Sequence, residues 1–454
     1  MGENQSMSRR EFVAAASKAT AGALLVSQMP SNLLAASRPH KNRLAMVGTG
    51  HRGSGMWGKS VVQAYSEYVE FVGLCDANPG RAKTVQSMMG VSCPTFTNFE
   101  EMLTKTKPDT VIVTTPDGTH HTFITRALEA GCDVITEKPM STTVEKLNSI
   151  LDAQKKSKNK IIVAHNYRYT PTRAKIKELL MQGRIGRVTS VDFHWYLDIS
   201  HGADYFRRWH RLREFSGTLL NHKASHHFDL LNWWIDSDPE IIHAFGSLDF
   251  YGKNNAYRHS HCRPCPLKSQ CRFYWDMTKD ERLMALYAAN EQYDGYLRDG
   301  CVWKEDIDIF DKMAVQMRYK NGVQVSYSLV TYAPYEGFRI AFNGTKGRLE
   351  LWMHERQPWP MEAYDEIQVT DNFGTAEFIR LPSVETDHGG GDPLMKDKIF
   401  KDPALPDPLK QAARMRDGAM SVLIGIAART SIDTGKVIHV SDLTDIELQA
   451  QRPE

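Results

Sequence analysis

The glycine-rich run Gly48-Thr49-Gly50-His51-Arg52-Gly53 follows a short apolar stretch, Leu44-Ala45-Met46-Val47, and opens into a segment patterned as a helix. A second β-rich run, Val69 to Cys75, ends at Asp76, about 20 residues on, the offset at which a dinucleotide fold places its acid. The three glycines have separate duties. Gly48 permits the tight turn, Gly50 lets the backbone approach a pyrophosphate, and Gly53 lets strand and helix pack closely. Free N–H groups at the helix start would hold the phosphates. Asp76 would accept hydrogen bonds from the ribose hydroxyls and repel a 2′-phosphate. NAD is therefore expected over NADP, although Arg81 stands close by in sequence.

Further short strands follow at Thr110–Thr114, Val134–Thr136 and Ile161–Ala164, with helical segments at 122–130 and 143–155. Such alternation predicts a parallel sheet covered on both faces. After His165 the pattern changes: helix 172–181, strand 188–196, helix 225–234, then antiparallel β. Asn321-Gly322 between two apolar runs is a strong hairpin signal, and Gly344 with Gly347 marks a second turn. An amphipathic segment, 409–434, closes the chain as a helix ended by Gly435. The expected class is α/β, a Rossmann domain over 41–165 followed by an α+β domain over 166–454 with a large, mainly antiparallel open sheet. The closing helix is placed to pack back on the first domain. Residues 383–408 read as one long loop, a length often tied to function.

With 454 residues the chain is long enough for two cores. A net charge of only +2 gives no reason to expect nucleic acid as partner. The apolar runs do not reach the length of a membrane-spanning helix. Residues 1–40 carry Ser8-Arg9-Arg10-Glu11-Phe12-Val13, a small-residue apolar run, and Leu33-Leu34-Ala35-Ala36-Ser37. These are the parts of a twin-arginine export signal, which places the mature protein in the periplasm.

Glu137-Lys138-Pro139, Thr115-Pro116-Asp117-Gly118-Thr119-His120, Ala127-Leu128-Glu129-Ala130-Gly131, His165-Asn166-Tyr167-Arg168-Tyr169 and Gly344-Thr345-Lys346-Gly347 together resemble the Gfo/Idh/MocA oxidoreductases. Tyr205-Phe206-Arg207-Arg208-Trp209-His210 and His222-Lys223-Ala224-Ser225-His226-His227-Phe228-Asp229 resemble its exported branch, which includes NAD-dependent glycosidases and glycoside dehydrogenases. The resemblance implies homo-oligomers and a carbohydrate substrate. It also implies that Lys138 and His226 are catalytic, with His222 standing where the family commonly has an aspartate.

Removing hydride from a carbinol carbon also requires removing the hydroxyl proton. His226 suits the base, Lys138 would stabilise the developing alkoxide or relay the proton, and His222 would orient or share. His227 reads as a neighbour. Thr115, Pro116, His120, Glu137 and Asn166 are placed toward the cofactor, along with His51 and Arg52. Tyr167, Arg168, Tyr205, Arg208 and Trp209 are placed toward the sugar. The expected reaction is NAD-dependent hydride transfer at a secondary hydroxyl, C3 being one candidate. One rival is glycoside hydrolysis by transient oxidation, elimination and re-reduction; a non-catalytic sugar sensor is another, which the presence of both Lys138 and His226 opposes.

Cys262-x-x-Cys265, Cys271 and Cys301 lie in an insertion near 255–305. Their spacing fits a structural metal site, zinc or an iron–sulfur cluster. Two disulfides are the competing reading for an exported chain. Either would pin the insertion and take no part in the chemistry.

Overall fold

The computed structural model describes residues 41–384 and 387–452; the predicted export segment lies outside them. Six short strands, β1 (Asn42–Val47), β2 (Val69–Cys75), β3 (Thr95–Phe96), β4 (Thr110–Val113), β5 (Asp133–Thr136) and β6 (Ile161–Val163), form one sheet in the order β3-β2-β1-β4-β5-β6. Every pairing in it is parallel. This is the doubly wound order, and ligands of such sheets bind where the order reverses, here between β1 and β4. The buried runs Leu44–Val47 and Val111–Val113 explain the continuous apolar strands of the sequence.

The second sheet holds nine strands. It comprises β7 (Val188–Asp198), β8 (Pro239–Ser247), β9 (Lys312–Tyr319), β10 (Gln324–Ala333), β11 (Glu336–Gly344), β12 (Gly347–Arg356), β13 (Tyr364–Asp371), β14 (Ala376–Pro382) and β15 (Ile438–His439). Their order is β14-β13-β12-β11-β7-β10-β9-β8-β15, antiparallel except where β10 lies parallel to β7. Burial alternates along β9 and β10, so one face is packed and the other open. The β9–β10 hairpin turns at Gly322, which takes φ +86°.

Two helices fill the space behind that sheet. Every residue of the Ala224–Ile235 helix is buried. The Met415–Thr434 helix packs on it, on β8 and on β6 of the first sheet, and it ends at Gly435 in the left-handed conformation. Its Gly425 passes so close to the Leu220 carbonyl that a Cβ would sit 2.6 Å from that oxygen. This helix starts six residues later than its amphipathic pattern predicts. The preceding residues are drawn out along β6, where the Val163 amide donates to the Ala413 carbonyl at 3.0 Å.

Residues 383–408 are not one irregular loop. They fold into short helical turns at Asp387–Gly390, Gly391–Lys396 and Asp397–Lys401. An ion pair of Asp392 with Arg52 and a hydrogen bond donated by the Tyr65 hydroxyl to Asp397 hold this segment against the first domain.

Candidate active site

One cleft of about 1260 Å³ runs from the glycine loop to the second sheet. That exceeds the roughly 300–1,000 Å³ typical of a single drug-sized ligand and leaves room for a dinucleotide with a second molecule. At its first end Gly48 takes φ +89°, and a Cβ there would lie 2.6 Å from the Thr114 and Thr115 backbone. Gly53 faces inward, where a Cβ would lie 2.3 Å from the Gly48 carbonyl oxygen. Its role is packing, while Gly48, Gly50, His51 and Arg52 line the cleft. The backbone cradle therefore fits a pyrophosphate.

Asp76 also lines the cleft, at the end of β2. Its Oδ2 accepts from the Thr49 amide and hydroxyl at 2.8 and 2.9 Å, and its Oδ1 accepts from the Asn78 amide. Arg81 pairs with Asp76 and with Asp294, so its charge is already answered. Opposite, Thr115, Pro116 and His120 form the turn after β4. The His120 ring nitrogens each lie 2.8 Å from a carbonyl oxygen, of Pro139 and of Thr115, tying that turn to the Lys138 loop. Glu137 accepts from Arg52 and from the Trp57 indole at 2.6 and 2.7 Å. Burial alone would raise its carboxyl pKa, but the Arg52 and Lys138 charges hold it below the usual value.

Lys138 follows directly. Its Nζ donates to the His222 carbonyl at 2.9 Å. Enclosure pulls the ammonium down to about 8, against the opposing charges of Asp117 and Glu137. The His222 ring turns the other way, its Nδ1 lying 2.6 Å from Asp117 Oδ2. Asp117 thus places a carboxyl group beside the His222 ring. Burial pushes the Asp117 carboxyl well up, with the Lys138 charge opposing. His222 ends the short Leu219–His222 helix, a separate element from the one bearing His226. Their rings do not form one stack, since His226 lies flat on Tyr167 at 4.3 Å. Burial, reinforced by the Lys138 and Lys223 charges, holds the His226 imidazole well below its ordinary pKa. Its Nδ1 is buried and makes no hydrogen bond among the described residues.

At the far end Tyr205, Arg208 and Trp209 line the cleft. Trp209 stacks on His210 at 3.6 Å, and Arg208 pairs with Asp204 at 2.8 Å.

These observations meet the comparisons with known proteins. Residues 42–165 match the family model described as an oxidoreductase family with an NAD-binding Rossmann fold, and residues 177–440 match its C-terminal alpha/beta domain. The chain belongs to the Gfo/Idh/MocA oxidoreductase family. A Bacillus subtilis member named as an oxidoreductase, YteT, is 38% identical over 427 residues, 89% of this chain and 99% of that protein. The levoglucosan dehydrogenase of Pseudarthrobacter phenanthrenivorans is 24% identical over 299 residues, 65% of this chain and 66% of that protein. A solved levoglucosan dehydrogenase, in complex with NADH and levoglucosan, superposes with a TM-score of 0.64 at 19% identity, over 88% of this chain and 99% of that one. It shares the fold.

Within this Gfo/Idh/MocA frame several residues stand apart from their expected places. Asn166 is fully buried and donates to Asp392 instead of lining the cleft. Arg168 is also withdrawn. Its guanidinium is clamped by both oxygens of Asp229 at 2.6 and 2.7 Å and by Asp417 at 2.9 Å, beneath the Ala224–Ile235 helix. A guanidinium beside two carboxylates gains more from that buried network than from an open cleft.

The cysteine reading also needs correction. Cys262, Cys265, Cys271 and Cys301 are all free thiols, and no three of their sulfur atoms come within 4.8 Å of one another. Among the described residues the one group with ligand spacing is Asp198, His201 and Glu336. Its members already bond to Arg356 and to each other. Polar contacts pin the insertion instead, with Asp299 accepting from the Arg263 amide and side chain. The insertion also does more than pack. The His51 amide donates to the Tyr287 hydroxyl at 2.8 Å, and Arg282 donates to Ser54 Oγ at 2.9 Å. Tyr287, Asp294 and Tyr296 line the cleft beside the glycine loop. Nothing in the local sequence around Tyr287 signals this, because the contact spans more than 230 positions.

Lys223 is the other unforeseen resident. It stands inside the His222-Lys223-Ala224-Ser225-His226 segment and lines the cleft with its side chain buried.

Proposed function

We propose that the protein oxidises, or reversibly reduces, a secondary hydroxyl of a sugar or glycoside with NAD, C3 being the candidate position. One observation carries the reading: Lys138, with its pKa near 8, shares a single cleft with the glycine loop and with His226. The glycine cradle, Asp76 and the Thr115 turn would hold NAD, which when bound accepts the hydride at its nicotinamide ring. The hydroxyl proton needs a base matched to neutral pH. Burial makes His226 too weak for that task and leaves Lys138 the better match. The roles therefore divide differently from the sequence expectation. Neutral Lys138 takes the proton, His226 orients the reacting hydroxyl, and Asp117 fixes the His222 ring. The bond broken is the carbinol C–H, its electron pair leaves with the hydride, and the product is a ketone.

A second reading is glycoside cleavage, in which the ketone acidifies its neighbouring C–H, the aglycone is eliminated and the hydride returns. The position of the insertion against the glycine loop favours it, because a cofactor that exchanges slowly must be recycled in place. Incubation with a panel of glycosides, following NADH absorbance and released sugar together, separates the two. NADH in step with oxidised sugar supports the dehydrogenase, and sustained cleavage without net NADH supports the hydrolase. Neither signal from any glycoside would refute both.

Periplasmic location through the twin-arginine route belongs to the same proposal. Replacing Arg9 and Arg10 by lysine should leave the chain in the cytoplasm, and unchanged fractionation would refute it. Self-association through the open face of the nine-stranded sheet is testable by light scattering, where a monomer at all concentrations counts against it.

A further inference from the structure

Guanidinium groups near the reacting end are matched to carboxylates: Arg173 with Glu355 at 3.0 Å, Arg208 with Asp204 at 2.8 Å, Arg356 with Asp198 at 3.0 Å. Lys223 is different. It is 5% exposed, it lines the cleft, and it makes no ion pair within 4.0 Å among the described residues. Its Nζ reaches a single neutral acceptor, the Tyr167 hydroxyl, at 3.3 Å, and lies 5.2 Å from the centroid of the Trp195 ring. An ammonium has three donors, and burying one with no carboxylate in contact and a single hydrogen bond leaves donors unanswered, which is costly. Such an arrangement is expected where the missing partner arrives with a ligand.

We propose that Lys223 receives a carboxylate of the substrate, which makes the preferred substrate a sugar acid, a uronate or uronosyl glycoside. The inference rests on the oxidoreductase reading above and narrows its substrate class. Location supports it. Tyr167, which Lys223 contacts, is the ring on which His226 stacks, so an anion docked here belongs to the molecule that His226 and Lys138 face. The charge count favours a monoanion. Lys223 is one point charge, the neighbouring guanidiniums are already engaged, and the carboxylates of Glu336 and Glu355 lie close enough to act on the Lys223 ammonium. A phosphate dianion would bring a second negative charge toward those two acids.

The test is a calorimetric titration of the full, NAD-loaded protein with matched pairs: methyl glucuronide against methyl glucoside, and methyl galacturonide against methyl galactoside. Glucose 6-phosphate forms a third arm. A charge-assisted contact of this kind is worth about tenfold to a hundredfold in affinity. At least one uronide should bind about tenfold or more tightly than its neutral partner. Lys223→Met should bring that pair close to parity, and Lys223→Arg should retain part of the preference. No preference in either pair overturns the inference. So does tighter binding of the phosphate ester, or an equal loss for acid and neutral sugar in Lys223→Met. If Lys223→Met does not fold, the wild-type ratio still decides. NADH absorbance recorded on the same mixtures tests the oxidoreductase reading separately, since binding preference does not require turnover.

Discussion

The Lys138 ammonium donates to the backbone carbonyl of His222 at 2.9 Å, across the junction of the two domains. The contact aims a side chain of the first sheet's β5–β6 connection at the helical segment that carries His222 and His226. With its pKa near 8, Lys138 is charged below that pH and neutral above it. A base must be neutral to accept a proton. Sugar oxidation should therefore rise with pH, with kcat/KM leveling off above an apparent pKa near 8. Lys138→Ala should lose about 10²–10⁴-fold in kcat while NAD binding, followed by fluorescence, stays within a few-fold. A flat pH profile in the wild type would remove Lys138 from the role of base.

Asp117 and His222 lie 2.6 Å apart, and the bond fixes which face the imidazole turns to the cleft. Asp117→Asn keeps the shape but puts an amide where the carboxyl meets the His222 ring. The expected result is a kcat lower by about tenfold to a hundredfold, the scale of leaving one buried polar group without its oriented hydrogen-bond partner, with the melting temperature moved little. A matching loss in His222→Phe, and no further loss in the double variant, would show that the two act as one unit. Full activity in Asp117→Asn would show that the pair has no part in turnover.

Much of this was legible from local pattern. The Gly48–Gly53 loop, Asp76 and the strand–helix alternation are features of short sequence range, and so is the Asn321-Gly322 turn. The pairs that complete the site are long-range. Asp117 with His222, Tyr287 with the His51 amide, and Lys223 with Tyr167 are brought together by tertiary packing, which no spacing rule encodes. Arg168 departs from its expected place for the same reason: its motif neighbour Tyr167 faces the cleft, but its own partners are Asp229 and Asp417. Cysteine spacing misled because Cys-x-x-Cys constrains two thiols, while a tetrahedral site needs four convergent ones.

Arg168 gives a stability prediction. Removing one member of a buried ion pair leaves the other uncompensated, at a cost of about 3–5 kcal/mol. Arg168→Ala should thus melt well below the wild type, with Asp229→Asn intermediate because a neutral amide still accepts one hydrogen bond. The same network predicts acid sensitivity. Burial would raise the Asp417 carboxyl, but the Arg168 and Arg452 charges hold it far below the usual carboxylate range. A depressed folded-state pKa stabilises the protein above the unfolded value of about 3.9, and that stability is lost as pH falls below it. Denaturant titrations at pH 6 and pH 3.5 should show a larger drop for the wild type than for Arg168→Ala. Equal drops would place the acid-sensitive groups elsewhere.

Tyr287 and Arg282 reach the glycine loop from an insertion 236 and 228 positions away, contacting the His51 amide and the Ser54 hydroxyl. Arg282 also brings a positive charge to a loop whose expected ligand carries two phosphates. Arg282→Ala should therefore weaken NAD binding by about tenfold, one charge-assisted hydrogen bond's worth. The loss should appear mainly as faster dissociation, because most affinity changes between related complexes lie in the off-rate. Tyr287→Phe, which takes the hydroxyl from the His51 amide, should show a smaller change in the same direction. Stopped-flow displacement of bound NADH measures both. Unchanged dissociation in the two variants would make the insertion a bystander to the cofactor, and would also withdraw the support that slow exchange lends to a redox cycle completed without releasing NAD.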